Sequence, residues 1–236
     1  MKLLALDTAT EACSVALDVE GRRLHQFRLA GREHSRVLPS MVQAIMAQAG
    51  LSMTQLDALV CGIGPGSFAG VRIGVAYAKG LAAGLDLPVV GVSSLALLAQ
   101  AAIRRTAVDC VLAAIDARMD QVYFGVYRAV NGRAQSLMPD RVCDPQQVST
   151  VDVPAAVAVG SGWGRYATVL RNALPALRLD CVDGAALPDA LDALDLAASI
   201  DVGDRSLSAA RLSPQYLRNR VALTRIEQAA ARRGQR

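Results

Sequence analysis

The first 30 residues carry the hydrophobic pattern of three successive β-strands. KLLALD is continuously apolar up to Asp7, which is typical of a central strand. ACSVALDV and RRLHQFRLA follow it, the second of them with more polar alternation, and the pair EG between them predicts a turn. The pattern therefore predicts that the chain opens with three strands in a row.

From residue 35 onward, the apolar positions recur at helical spacing. SRVLPSMVQAIMAQAG reads as an amphipathic helix that ends at Gly50. Buried strands are then predicted in LDALVCGIG and PVVGV, each followed by a helix, in FAGVRIGVAYAKGLAAGL and SLALLAQAAIRR. The predicted order of the first half is βββαβαβα.

The second half of the chain repeats this opening. CVLAAIDARMDQVYFGVYRAVNGRAQ has the same arrangement as KLLALDTATEACSVALDVEGRRLHQ, with strands ending at Asp116 and Asp7 and turns at Gly132 and Gly21. Later segments predict a strand at AAVAVGSG, a helix around WGRYATVLRNA and a helix near residues 186–200. This similarity indicates a duplicated unit, although a chance recurrence of strand–Asp–strand remains the alternative.

We therefore predict two lobes. The first spans residues 1–106 and holds the helices expected to mediate association, and the second spans residues 107–236, is smaller and more divergent, and ends in a basic tail.

Composition narrows the class of protein. The chain has 236 residues, of which 53% are hydrophobic and only 4% aromatic, so its cores must be built mainly from Ala, Val, Leu and Ile. No apolar run approaches the ~20 residues that span a bilayer, and MKLLALD is too short for a signal peptide. The sequence thus favours a cytoplasmic protein.

The five cysteines are scattered along the chain, which favours reduced thiols over a disulfide framework. With only two histidines, a histidine-rich metal centre is disfavoured.

The glycine segment GIGPGSFAGVRIG, residues 62–74, raises the question of a phosphate site. GPGSFA fits the dinucleotide fingerprint literally, but the acid at the expected distance, Asp86, precedes the next strand instead of ending it. A P-loop would need a lysine after its glycine, whereas Val71 follows Gly70. Both nucleotide motifs are therefore disfavoured. Gly70, Gly74 and Ala78 instead predict a helix face that another element can approach closely.

Several separate motifs together resemble the bacterial TsaB/YeaZ family of tRNA threonylcarbamoyladenosine biosynthesis proteins. They are LALDTATEACSVAL, GPGSFAGVRIG, AKGLA, PVVGVSSLALLA and AIDARMDQVYFGVY, with a fainter SPQYLR near the end. The resemblance covers most of residues 1–130. It implies an α/β fold of two RNase H-like lobes of the actin-like/Hsp70-like ATPase superfamily, each opening with three strands.

The same resemblance implies a non-catalytic subunit. The loop after the first strand, residues 7–10, lacks the glycine of the phosphate-binding turn found in catalytic relatives, and Asp7 is expected to be a structural carboxylate. Ser94 and Leu98 stand where the catalytic paralogue TsaD has two metal-binding histidines. We therefore expect no catalytic residue, metal or cofactor of its own, with ATP/ADP used by the assembled complex.

The partners implied by the resemblance are TsaD, as a heterodimer, and the ATPase TsaE, with a homodimer as a further form. The chain would act as scaffold and activator for transfer of a threonylcarbamoyl group to the adenosine beside the tRNA anticodon. It would reach tRNA indirectly and would not bind membrane. The predicted interface lies on two helices, and the alternative is that both simply cover their own sheet. Its residues are Leu38, Met41, Val42, Ile45, Gly70, Gly74 and Ala78.

Two other functions stay open. One is an ATP-dependent kinase-like or peptidase-like enzyme that uses the cleft between the lobes, near GSGWG at residues 160–164. The other is direct tRNA binding by the basic tail, for which the lack of interleaved aromatic residues favours a solvated tail and a modest contribution to affinity. The arginines of this tail are Arg218, Arg220, Arg225, Arg232, Arg233 and Arg236.

Overall fold

A computed structural model of the chain describes residues 1–150, 153–198 and 208–218, which form two β-sheets with helices packed against them. The first sheet has the order β3-β2-β1-β4-β5, in which β1, β2 and β3 are antiparallel and β1, β4 and β5 are parallel. Its strands are β1 Lys2–Asp7, β2 Ala12–Val19, β3 Arg22–Leu29, β4 Ala58–Gly62 and β5 Val89–Val92.

Alternation along the strands of this sheet builds a core on each of its faces. The three helices of this half of the chain are α1 His34–Ala49, α2 Phe68–Leu85 and α3 Ser94–Thr106. Leu4 and Leu6 point to the face covered by α1 and α2, whereas Leu3 and Ala5 point to the opposite face. Among the described residues, no helix combines the length and the apolar character needed to cross a membrane.

The second sheet repeats the topology of the first. Its order is β11-β10-β6-β7-β8, with the short β9 paired to β7. If β9 is left aside and the strands are numbered within each half of the chain, both sheets have the order 3-2-1-4-5, the second one when its order is read from β8 to β11. The predicted duplication, with two α/β units that each open with three strands, is therefore confirmed. The elements are β6 Cys110–Arg118, β7 Gln121–Val130, β8 Arg133–Ser136, β9 Arg141–Cys143, β10 Ala155–Val159, α4 Ser161–Ala173, β11 Arg178–Asp183 and α5 Ala190–Ala197.

Two late segments return to the first sheet. Helix α5 covers the face opposite α1 and α2, where the Arg104 guanidinium pairs with the buried Asp192 carboxylate at 2.9 Å. In the segment 208–218, Leu212 joins the core beneath α1 and α2, and the Gln215 amide donates to the Ile63 carbonyl at 2.8 Å. Residues from the predicted second lobe thus complete the first, and the division at residue 106 stays a prediction.

Candidate functional site at the glycine segment and the lobe junction

The carboxylate of Asp7 lies fully buried at the end of β1. Its Oδ1 accepts a hydrogen bond from the Ala9 amide at 3.0 Å, and its Oδ2 accepts one from the Ser94 hydroxyl at 3.0 Å. Burial raises the pKa of Asp7 to about 6, although both hydrogen bonds favour the ionised form and oppose that shift. Ser94, the first residue of α3, therefore connects the start of this helix to the end of β1.

The glycine segment closes around the turn formed by residues 7–10. A Cβ at Gly62 would overlap the Asp7 carboxylate, and one at Gly66 would overlap the Ala9 carbonyl. Gly70 faces the Thr8 carbonyl in the same way, and Gly74 faces the Thr8 hydroxyl. These glycines are needed because their own chain passes where a side chain would be.

Hydrogen bonds fix this contact. The Ser67 amide donates to the Ala9 carbonyl at 2.6 Å, and the Thr8 hydroxyl donates to the Gly70 carbonyl at 2.8 Å. The Ser67 hydroxyl caps α2 by accepting from the Gly70 amide at 3.1 Å. A helix N-terminus can offer such amides to an anion. Here two of them bind the chain's own oxygen atoms.

The residues predicted as a partner interface require a correction. Those on α1 pack into the core under the first sheet, Gly70 and Gly74 contact Thr8, and Ala78 is fully buried. Every one of them faces the chain's own core, because the sheet and the turn 7–10 already occupy the space in front of them. Contact with a partner through other faces of these helices stays a prediction. The residues that were predicted at the interface and instead lie in the core are Leu38, Met41, Val42, Ile45, Gly70, Gly74 and Ala78.

Helix α2 has a second set of small residues, which sequence analysis missed. A Cβ added at Gly80 or Gly84 would meet no atom within 4 Å. Around Gly80 lies a stripe that we call the outer α2 face, with four exposed residues and the half-buried Ile73. The outer α2 face consists of Ala69, Ile73, Ala76, Gly80 and Ala83.

One signal in the sequence could have separated the two faces of α2. Val71 and Val75, four residues apart, directly follow Gly70 and Gly74 in the sequence, and both are buried. Bulky aliphatic residues mark the side of a helix that packs on a sheet, so their positions assign the neighbouring glycines to the inside.

At the junction of the lobes, Asp140 connects the start of α3 to β7. Its carboxylate accepts from the Ser93 hydroxyl at 2.5 Å and from the Tyr127 hydroxyl at 2.6 Å. Burial raises the pKa of Asp140, and these hydrogen bonds partly offset that shift. Gly125 leaves room for this carboxylate, which a Cβ there would crowd. The cluster is thus a hydrogen-bonded link between the lobes.

The GSGWG segment performs a packing role. Gly160 and Gly162 lie against the backbone of Ala114, and Gly164 lies against the backbone of Gly184. The indole of Trp163 is fully buried and donates to the Leu112 carbonyl at 3.0 Å. The glycines therefore permit close packing of α4 on β6, as a strand-to-helix turn requires.

The remaining predicted positions fall into two groups. Ser94 binds Asp7, and Leu98 lies in the apolar core between α3 and the second sheet. Within the described ranges, no group of three His, Cys, Asp or Glu side chains is arranged to hold a metal ion.

Of the tail arginines, Arg218 contacts the β6–β7 turn, and the others lie outside the described residues. These are Arg220, Arg225, Arg232, Arg233 and Arg236.

Comparison with known proteins gives a consistent result. A family model described as "TsaD: tRNA N6-adenosine threonylcarbamoyltransferase" matches residues 28–181. The tRNA threonylcarbamoyladenosine biosynthesis protein TsaB of Haemophilus influenzae is 40% identical over 96% of this chain and 97% of its own length. TsaB of Escherichia coli is 41% identical over 96% and 98%. The solved structure of YeaZ from Pseudomonas aeruginosa superposes with a TM-score of 0.84 at 40% identity, covering 92% of this chain and 99% of that one. The chain therefore belongs to the TsaB family, within the wider group that the TsaD model describes.

Proposed function

We propose that this chain acts in the biosynthesis of threonylcarbamoyladenosine in tRNA, as a non-catalytic subunit that binds and activates a TsaD-type threonylcarbamoyltransferase. The observation that carries this proposal is the outer α2 face, whose residues are small except for Ile73, with open space in front of Gly80. ATP or ADP would be used by the assembled complex, with an ATPase of the TsaE type, and tRNA would be modified on the partner.

The filled turn at residues 7–10 supports a non-catalytic role. A phosphate-binding turn needs backbone amides that are free to face the anion. In this chain the Ala9 amide donates to the Asp7 carboxylate, and the Ser67 amide donates to the Ala9 carbonyl, so neither amide is free to bind an anion. A nucleotide phosphate would have to displace these internal contacts before it could bind at this turn.

The outer α2 face supports association with a related lobe. Two helices can pack closely when small residues line their contact, because the backbones then approach without steric overlap. A TsaD relative is a reasonable partner, since the family model of that name matches this chain over residues 28–181. A lobe of related sequence would present a helix equivalent to α2.

The test is a substitution that fills the outer α2 face without touching the core. Gly80→Leu adds a side chain where the monomer has open space and gains helix propensity, so the folded chain should keep or slightly raise its melting temperature. We expect the affinity for a TsaD relative, measured by titration calorimetry, to fall at least about tenfold, because overpacking at an interface separates the helices. Thr168→Leu, at an exposed position of α4, is the matched control and should leave the affinity unchanged.

Two results would contradict the proposal. One is an unchanged affinity of the Gly80→Leu variant for the TsaD relative. The other is a wild-type chain that does not associate with any TsaD relative and does not stimulate its transfer of the threonylcarbamoyl group to tRNA.

A further inference from the structure

An exposed pair of aromatic rings flanks an arginine at the start of α2. The guanidinium carbon of Arg72 lies 3.3 Å from the centroid of the Phe68 ring and 4.9 Å from that of the Tyr216 ring. Its Nη1 also donates to the Phe68 carbonyl at 3.0 Å. Phe68 is 64% exposed and Tyr216 is 57% exposed. The segment 208–218 thus brings a tyrosine to the first turn of α2.

A second arginine follows Tyr216 closely along the chain. Arg218 donates from Nη2 to the Gln121 side-chain oxygen at 2.9 Å and to the Arg118 carbonyl at 3.3 Å, and from Nη1 to the Met119 sulfur at 3.3 Å. All of these partners are uncharged. We call Phe68, Arg72, Tyr216 and Arg218 the aromatic–arginine patch.

The charge of this patch is not neutralised within the described residues. Neither Arg72 nor Arg218 forms an ion pair there, a feature they share with most of the described arginines. Six of the described arginines do contact a carboxylate: Arg23, Arg36, Arg104, Arg118, Arg165 and Arg178. Residues 219–236, which follow Arg218 in the sequence, contain five arginines and one acidic residue, Glu227. Two oriented cations and a basic continuation favour an anionic ligand.

We propose that the aromatic–arginine patch binds unpaired RNA. Bases stack on exposed aromatic rings whatever their identity, and arginines next to those rings can contact the phosphates. This inference rests on the proposed function, which makes tRNA the substrate of the complex. The modest contribution expected of the basic tail stays a prediction, and the aromatic rings that the tail lacks are those of Phe68 and Tyr216.

The experiment measures the affinity of the isolated full-length chain for a fluorescent RNA hairpin with an unpaired loop. An RNA duplex and polyglutamate, matched in charge, serve as competitors, and the salt concentration is varied. We expect the hairpin to bind more tightly than either competitor. Tyr216→Ala and Phe68→Ala should each weaken binding about tenfold without changing its salt dependence, because each removes a stacking ring.

Matched variants separate stacking from charge. Tyr216→Phe keeps the ring and should keep the affinity within about twofold of the wild type. Arg72→Gln should weaken binding and reduce the slope of log affinity against log salt by about one. Arg36→Gln makes the same charge change at an exposed position of α1 and should have less than a twofold effect. Melting temperatures establish that each variant is folded.

Several outcomes would overturn the RNA site. They are hairpin affinity that survives both ring deletions, an Arg36→Gln effect equal to that of Arg72→Gln, or polyglutamate that competes as well as RNA. Loss of TsaD binding together with RNA binding in the patch variants would assign the patch to the protein interface instead. A wild-type chain that binds the hairpin but no TsaD relative would contradict the proposed function and leave the RNA site standing.

Discussion

Gly70 and Gly74 lie on one side of α2, Gly80 lies on the other, and the space around them differs completely. A Cβ at Gly70 would overlap the backbone carbonyl of Thr8, whereas a Cβ at Gly80 would meet nothing within 4 Å. The inner glycines are therefore required by the fold of the chain itself. Gly80 has no such requirement in the isolated chain, where a glycine costs helix stability, and we propose a partner surface as its explanation.

The largest expected effect comes from adding a side chain at the inner glycines of α2. Gly70→Ala gains helix propensity but places a methyl group on the Thr8 carbonyl, so we expect a net loss of about 3 kcal/mol in the free energy of unfolding. Gly74→Leu should also destabilise the fold, because its side chain would meet the Thr8 hydroxyl. Urea denaturation measures both, and a Gly70→Ala variant as stable as the wild type would break the comparison.

The next effect concerns the carboxylate beneath the inner glycines. The pKa of Asp7 is about 6 in the folded chain, compared with a usual value of 3.8. This difference corresponds to roughly 3 kcal/mol in the free energy of unfolding. A raised folded pKa gives stability that is fully present below pH 3.8 and is lost as the pH rises through 6. Asp7→Asn cannot ionise, so it should gain stability relative to the wild type between pH 4 and pH 7. A stability difference between the two that is independent of pH would contradict the buried, ionising carboxylate.

A smaller effect is expected when the donor to that carboxylate is removed. Ser94→Ala deletes the hydroxyl that binds Asp7 Oδ2, so the pKa of Asp7 should rise further and the variant should lose about 1–2 kcal/mol at pH 8. At pH 4 the carboxyl is protonated in both proteins, so the loss should be smaller. Denaturant titrations at both pH values test this. An equal loss of stability at pH 4 and pH 8 would show that the Ser94 hydroxyl does not preferentially stabilise the ionised carboxylate of Asp7.

The smallest effect belongs to the outer side of α2. Gly80→Ala adds only a methyl group in open space, so it should stabilise the isolated chain by up to ~1 kcal/mol. The proposed interface leaves less room for that methyl group in the complex, so affinity for a TsaD relative should fall while stability rises. Thermal melts and calorimetry measure the two quantities, and a Gly80→Ala variant that loses stability would place this glycine against the chain's own atoms.

The sequence predicted the elements of the first lobe well, because each is bounded by a clear change of pattern. The apolar run Lys2–Asp7 and the helix Phe68–Leu85 match the structure at both ends. Strand β11, Arg178–Asp183, was missed because it lies at the edge of its sheet and alternates charged with apolar residues. Edge strands bury little surface, so their hydrophobic pattern is weak.

The candidate site was less predictable than the fold. Periodicity placed Gly70 and Gly74 on one face of α2, but it could not reveal that the turn 7–10, far away in sequence, fills the space in front of them. The approach of Tyr216 to Arg72 depends equally on how residues 208–218 cross the first lobe. Such contacts arise from tertiary packing, which the local pattern of the chain does not encode.

The central claim, that the chain activates a partner without performing chemistry, is tested most directly by reconstitution. A TsaD relative, its ATPase and tRNA are combined with wild-type, Asp7→Asn or Gly80→Leu chain, and threonylcarbamoyladenosine formation is measured. We predict that Asp7→Asn stimulates the reaction to within about twofold of the wild type, whereas Gly80→Leu fails to stimulate it. Loss of stimulation by a folded Asp7→Asn variant that still binds its partner would contradict the account.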